Sequence, residues 1–558
     1  MISTTVQELP TARVERAEWQ FVAITTLVVL VVTTVPYLYG YLATPPGKQY
    51  MGIMFDVADH AQYFSWMREL STANLASNKL TPEPNAPAFF NLLWWLMGHI
   101  GRLFHLDYAA MFQILRVVVT ATFLPTVYWL GAWFFEDRLA RQVALLVAIL
   151  SSGFGWLIVV AKYLFHLTSL PLWLNLLIYI IEPNTFFGIL STPHLVGAAL
   201  YIAVFGLVLW GEASGQLRYA VAAGLFAAFI GWQHTYDLIL VYSILGVYWL
   251  LKWLRDRRPP IYLLYSGLIV GALSCPAAVY SLMLTSLDPL WRDVLAQYDN
   301  AGVLTPNPLL LPVLLGPAFL LALFTTIRGN PFALKRMGDT QLFLTCWFWA
   351  NLFLLYIPTN YQIKMLNGFQ VPIALLATQG LYQYVQPAIL AVGSRLRSLW
   401  PGTVQRGLAW GLMLAVIPTN VYLLAWRFVD LRRHSYPYYL GSDEIAAFQW
   451  LESNAAPDDV VLSSVTTGQY IPAFTGAHAY LAHWAQTVRY YEKRDNVAKF
   501  FDANADDETR KMILDQHSVD YVFYGPAEQA LGSYTPNNSA FSTLVFSTLK
   551  VKIYAINP

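Results

Sequence analysis

Charge is scarce in this 558-residue chain. Lys, Arg, Asp and Glu together make up 12% of it, 34 basic residues stand against 33 acidic ones, and the formal net charge is +1. So even a balance, with no basic tail and no basic patch interleaved with aromatics, excludes a nucleic-acid partner on electrostatic grounds. Cysteine is scarcer still. Cys275 and Cys346 both fall in apolar runs, which rules out a secreted-type disulfide framework and leaves the fold to packing. No internal repeat, heptad array or low-complexity tract is found, so solenoids and coiled coils have no support. What the chain has instead is hydrophobic residues, 57% of the total. They gather in runs of about 20, the length that crosses a bilayer as a helix.

Runs that can span lie near 20–42, 109–134, 139–162, 194–211, 218–234, 237–254, 260–283, 308–327, 340–357, 366–388 and 407–427. Two shorter apolar stretches, 88–104 and 167–181, decide the side of everything that follows them. If both lie in the interface, the N-terminus, "EDRLAR", "GEASGQLR", "KWLRDRR", "RGNPFALKRM" and "SRLRSLWPGTVQR" all face the cytoplasm and hold 15 Lys and Arg together. The opposite loops then keep only Lys48, Arg68, Lys79, Arg102, Lys162, Arg292 and Lys364, the asymmetry of the positive-inside rule. Arg427, Arg432 and Arg433 run against it. Arg13 and Arg16 precede a first run too long for a signal-peptide core, so it reads as an uncleaved signal anchor. From about residue 430 the composition turns soluble, with helix-like "SDEIAAFQWLESN" opening on a Ser442 cap and strand-like "DVVLSS", "VDYVFYG" and "KVKIYAI". The expected fold is mainly α: a polytopic membrane protein of about 11 transmembrane helices plus juxtamembrane helices. Residues 1–429 form its membrane domain with a first external loop at 43–108, and 430–558 a small external α/β domain.

In that first loop, "GIMFDVADHAQYFSWMRELS" places two acids where a greasy protein needs a reason for them. A helix over "FDVADHAQYFSWMREL" would put Asp56, Asp59 and Tyr63 on one face and turn Phe55, Phe64 and Met67 to the membrane. The plain alternative is a loop that carries acids for solubility. On the same side fall Glu182 in "IEPNTF", His194 in "STPHL", and His234 and Asp237 in "GWQHTYDL". Ionisable groups near membrane depth are costly and usually face a cavity or a partner. A mutually satisfied turn pair accounts equally for His234 and Asp237, and an interfacial histidine for His194. Lys364, Arg292 and Arg116 are cations that could meet a lipid phosphate, or simply snorkel.

The order of these motifs resembles the GT-C class of integral-membrane glycosyltransferases, which use polyprenyl-phosphate-linked sugars. Asp59 with Tyr63 in "DHAQYFSWMRE" looks like its D-x-x-x-Y form, "TPEPNAPAFFNLLWWLMG" resembles its proline-led juxtamembrane helix, and "FQILRVV" the start of its second span. "SGFGWL", "EPNTF", "TPH", "QHTYDL", "GFQVPIALLATQGL" and "AHWAQTVRYYEKRDNVAKFF…VDYVFYGPAE" are similar to a bacterial branch of the class, and the likeness covers most of the chain. His60 follows Asp59 where many members have Glu, and "LLWWLMG" is not the W-W-D-Y-G acceptor motif, so transfer of a whole oligosaccharide to asparagine is not implied.

The resemblance implies an inverting sugar transfer at the external face of a cell membrane, with a polyprenyl-phosphate donor, a lipid, glycan or protein acceptor, and membrane lipids as surroundings. One carboxylate and one cation suffice for it. Asp59 is the expected base with Asp56 assisting or replacing it. Lys364 is the expected phosphate contact, ahead of Arg292 and Arg116, with Tyr63, His60, Glu182, His194, His234 and Asp237 lining the substrate. His483, Trp484 and "RYYEK" are candidates for sugar stacking, or a packed domain surface. No cofactor is certain, and a divalent metal stays open with weak support, since only the scattered acids Asp56, Asp59, Glu182 and Asp237 could supply its oxygen ligands. Two other classes stay open: a transporter or flippase of lipid-linked sugars, and a non-catalytic scaffold with an external binding domain.

Overall fold

The computed structural model describes residues 14–297, 304–392, 401–536 and 541–557; the expected cytoplasmic N-terminus before residue 14 and part of the basic loop 394–406 lie outside them. Every one of the eleven apolar runs is helical. Among the described residues six helices are long and apolar enough to cross a membrane: Arg16–Leu42, Tyr108–Gly131, Pro193–Ser214, Asp237–Asp256, Ile261–Leu287 and Pro308–Arg328. Two bent pairs, Arg138–Leu150 with Gly155–Leu164 and Thr403–Val416 with Pro418–Arg432, raise the number to eight if each is one span. Leu217–Gln233 and Asp339–Leu354 are slightly shorter, and Gln370–Gly380 passes through one wide turn at Leu381–Val385. The two doubtful stretches become Leu92–Phe104 and Leu172–Tyr179, 13 and 8 residues. At 1.5 Å per residue neither reaches across about 30 Å of hydrocarbon.

The chain divides into two compact units. Of the described residues, the first gathers 14–35, 114–279, 304–392 and 401–426. Three runs that read as continuous spans, 139–162, 308–327 and 407–427, are in fact interrupted, at Ser151–Phe154, at Gly316 (φ 72°) and at Ile417. Broken backbone at membrane depth must find partners inside the protein. Here the breaks supply one another: the Ser152 amide and hydroxyl donate to the Val416 carbonyl at 2.9 and 2.5 Å, the Phe154 amide to Val313 at 2.7 Å, and Thr419 Oγ1 to Gly153 at 2.6 Å. Gly153 is required, because a Cβ there would run into the carbonyl oxygens of Val313 and Leu314. Several cations counted as loop charges are also structural. Buried Arg141 pairs with Glu18 at 3.0 Å, and Lys252 and Arg255 bridge to Asp339.

The second unit is assembled from the described residues 36–113, 280–297, 427–536 and 541–557. Strand β1 (Lys48–Tyr50) pairs antiparallel with β2 (Tyr439–Gly441). Strands β3 (Val460–Leu462), β4 (His478–Ala479), β5 (Val519–Tyr524), β6 (Ser542–Ser547) and β7 (Lys552–Ile556) form a mixed sheet in the order β4-β3-β5-β7-β6. The three strand-like stretches of the sequence are β3, β5 and β7. Helices Tyr490–Phe501 and Asp507–Asp515 cover the sheet through Val497, Phe500, Phe501, Ile513 and Leu514. Helix Ser442–Asn454 is capped otherwise than expected: Glu444 reaches back to the Gly441 amide at 2.7 Å, and Ser442 is the first helical residue.

Candidate functional site

The acidic stretch of the first loop folds as a helix over Val57–Leu70, two residues later than the sequence pattern suggests. Asp56 stands before it in a left-handed conformation (φ 50°, ψ 53°), so it does not share the face of Asp59 and Tyr63. A non-glycine residue held there costs on the order of 1–3 kcal/mol and persists only when its surroundings fix it. They do. Arg427 Nη1 donates to the Met54 carbonyl at 2.9 Å, the Met51 amide to Tyr438 at 2.9 Å, and the His60 amide and Nδ1 meet the Asp56 carbonyl at 3.2 and 2.7 Å. Phe64 and Met67, expected to meet the membrane, are buried at 2% exposure each, and Phe64 stacks on Tyr108.

Asp59 lies in the first helical turn, where the helix dipole favours a carboxylate. Its Oδ1 stands 2.7 Å from His483 Nε2, and its Oδ2 accepts from the Tyr63 hydroxyl at 3.3 Å. The Tyr63 ring is stacked on Trp94 at 4.6 Å and 15°. Trp94 in turn sits on the short helix Leu92–Phe104, whose N-cap is Asn91. The Asp59 side chain keeps 21% exposure, against 3% for His483, so the carboxylate is positioned and still reachable.

His483 is placed by a seam joining residues 77–83 to residues 478–493. Asn78 donates to the Gln486 carbonyl at 3.0 Å, Thr487 Oγ1 to Leu80 at 2.6 Å, the Ala479 amide to Lys79 at 2.9 Å and the Val488 amide to Thr81 Oγ1 at 3.1 Å. Lys493 closes the seam on Glu83 at 2.5 Å. Burial pushes the Glu83 carboxyl up, but the Lys493 ammonium and the Thr81 hydroxyl outweigh it and leave the group below the usual carboxylate range. His478 meets the Thr81 carbonyl through Nδ1 at 2.9 Å, and burial pushes its imidazole below its ordinary range.

In the first unit the other rare polar groups fall into two sets on the segment 361–370. Lys364 is paired with Glu182 at 3.0 Å. Asp237, fully buried, takes His234 Nδ1 at 2.9 Å and the Asn367 side-chain amide at 3.2 Å, and the Tyr201 hydroxyl donates to the Asn367 carbonyl at 3.0 Å. His194 is buried, and its carbonyl accepts from Gln233 at 3.4 Å. Arg116 is buried at 2% exposure, donating to Thr33 and Thr34 at 2.6 and 2.7 Å, whereas Arg292 in the second unit is exposed. Asn367 and the anchoring role of Arg427 escape a reading of the sequence, which leaves His483 open between sugar stacking and a packed domain surface. A lone histidine inside an apolar stretch was the only signal for its link to Asp59, 424 residues away.

Among the described residues no three His, Cys, Asp or Glu side chains gather into a set that would hold a metal ion. The two cysteines are free, Cys275 exposed and Cys346 buried.

No protein-family model and no curated protein matches the chain. Solved structures do. The oligosaccharyltransferase of Archaeoglobus fulgidus, solved with a tethered acceptor peptide, aligns over 96% of this chain and 74% of its own at 14% identity and TM-score 0.55. The same archaeal protein, AglB, in complex with an inhibitory peptide and a dolichol-phosphate, gives a TM-score of 0.54. The arabinofuranosyltransferase AftD from Mycobacteria aligns over 97% of this chain and 40% of its own at 14% identity and TM-score 0.54. Apo ArnT from Cupriavidus metallidurans aligns over 97% and 98% at 12% identity and TM-score 0.52. Likeness of this extent at such low identity is likeness of architecture: the chain shares the fold of these solved structures.

Proposed function

We propose that this protein is a membrane glycosyltransferase that moves a sugar from a polyprenyl-phosphate donor to an acceptor hydroxyl at the external membrane face. The observation that carries the reading is a partly exposed carboxylate, Asp59, held by two side chains in the segment that follows the first long apolar helix of a GT-C fold. An archaeal protein of this fold holds a dolichol-phosphate, which supports a polyprenyl phosphate as the lipid part of the donor.

Asp59 takes the proton of the acceptor hydroxyl while that oxygen bonds to the anomeric carbon. The bond from this carbon to the phosphate oxygen breaks on the opposite face, and polyprenyl phosphate leaves with the electron pair, inverting the configuration. Lys364 is the cation assigned to the phosphate, which competes with Glu182 for the ammonium. Arg292 is the second choice. Arg116 drops out, since its guanidinium is buried and engaged with two threonines.

Transport of lipid-linked sugars is the second reading, favoured by the helix breaks at Ser151–Phe154, Gly316 and Ile417, a feature of transporters. Release of free polyprenyl phosphate in lipid nanodiscs separates the two. Wild type and Asp59→Asn are given a panel of polyprenyl-phosphate hexoses and pentoses with a membrane extract as acceptor. Loss of the base lowers release about 10²- to 10⁴-fold. Equal release by both moves the base to Asp56, and flux of an intact donor without release establishes the transporter.

A further inference from the structure

We infer that His483 is a positioning residue for Asp59, so that the C-terminal segment completes the base. The inference rests on the reading of Asp59 as that base. The imidazole is 2% exposed, and its Nδ1 accepts the Ala485 amide N–H at 3.1 Å. A peptide N–H only donates, so Nδ1 must present its lone pair, and the neutral ring carries its hydrogen on Nε2. That hydrogen faces Asp59 Oδ1 at 2.7 Å, the distance of a charge-assisted N–H···O⁻ bond.

The backbone that carries the ring is pinned. The Gln486 and Thr487 amides both donate to the His483 carbonyl, at 3.2 and 3.0 Å, and Thr487 Oγ1, which accepts the Ala482 amide at 3.0 Å, is itself bound to Leu80. A flipped imidazole would deprive the Ala485 amide of its acceptor and Asp59 Oδ1 of its donor.

Two consequences follow. With Nδ1 occupied, His483 cannot pass a proton onward; it keeps its Nε2 hydrogen throughout, and no net transfer runs through it. With Oδ1 in the short bond and Oδ2 accepting from Tyr63, the carboxylate is oriented by side chains on both of its oxygens. His483 thus acts on the rate through the carboxylate, without touching substrate.

Four variants test this in nanodiscs with the same panel of polyprenyl-phosphate hexoses and pentoses: His483→Ala, His483→Asn, His483→Gln and Asp59→Asn. His483→Ala and His483→Asn should lower kcat about 10- to 100-fold with KM unchanged, the worth of one hydrogen bond to a charged group. His483→Gln should recover most of it, because its amide reaches the Nε2 position and that of Asn does not. Equal kcat in all three histidine variants and wild type overturns the inference while leaving the base reading intact. Full activity in Asp59→Asn overturns the base reading instead. A readout independent of turnover is ¹⁵N-histidine magnetic resonance of the full chain. A resonance pair with Nε2 protonated and Nδ1 bare should vanish in His483→Gln and shift in Asp59→Asn. The opposite tautomer, or a pair indifferent to Asp59→Asn, refutes the inference whatever the donor panel does.

Discussion

Replacing Arg427 by Met should loosen the approach to Asp59 without unfolding the rest of its unit. The guanidinium is 2% exposed, donates to the Met54 carbonyl at 2.9 Å and the Tyr438 hydroxyl at 3.3 Å, pairs with Asp430 at 3.1 Å, and lies 5.4 Å from the centre of the Phe55 ring. A hydrogen bond from a charged donor is worth about 1.5–3 kcal/mol. Removing one partner of a buried ion pair costs about 3–5 kcal/mol, but Asp430 retains Arg433 at 3.2 Å, which cuts that loss. Met preserves much of the packing volume. A local loss of about 3 kcal/mol corresponds to roughly 100-fold more frequent opening. Hydrogen exchange by mass spectrometry in nanodiscs reads this directly: amides of residues 51–60 should exchange about 100-fold faster, while helix Tyr490–Phe501 stays as protected as in wild type. Unchanged exchange at 51–60, or an equal rise along the whole unit, refutes the assignment of Arg427 as the local anchor.

Gly153→Ala drives a methyl into the Val313 and Leu314 carbonyls, so its size-exclusion peak should collapse at a lower temperature than wild type, by an overpacking cost of about 1–3 kcal/mol; Gly407→Ala, which meets nothing, is the harmless control. If Lys364 binds the donor phosphate, Lys364→Ala should raise the donor KM and Glu182→Gln should lower it, each roughly fivefold for about 1 kcal/mol; shifts in the same direction would sink that role. His478 is held below its ordinary value of 6.5 by burial. The unfolded chain therefore binds the proton first as pH falls, stability rises with pH across that window, and acidification below about 6.5 should weaken the seam. Limited proteolysis of residues 77–83 should accelerate between about pH 7.5 and 5.5, and an unchanged rate would show that His478 contributes nothing there.

The apolar runs were legible because a membrane span needs only length and hydrophobicity, and all eleven are helical. Their interruptions had weaker signals. Gly316-Pro317 and Ile417-Pro418 carry the steric conflict that a proline imposes on the residue before it, and "SSGF" offers little side chain to resist a bend. The Asp59–Tyr63 pair was readable because i and i+4 meet on any helix. The turn at Asp56 was not: aspartate tolerates a left-handed backbone better than most residues, but nothing in the sequence demands one there, and anchors on residues 427 and 438 hold it. Arg427 misled a count of charges because such a count sees neither Asp430 nor the Met54 carbonyl. His483 was out of reach for the same reason, as its partner is fixed by the seam and by no spacing.

The second unit draws on three separated stretches of chain, and this sets an order in time. When residues 43–108 leave the ribosome, the seam strand at 478–479 has yet to be made. The intervening stretch of about 370 residues takes roughly 20–75 s at about 5–20 residues per second. For that interval Asp59 lacks His483, and Asn78, Leu80 and Thr81 wait for Gln486, Thr487 and Val488. The carboxylate is therefore assembled late, and a chain released early carries the whole first loop with its base unset.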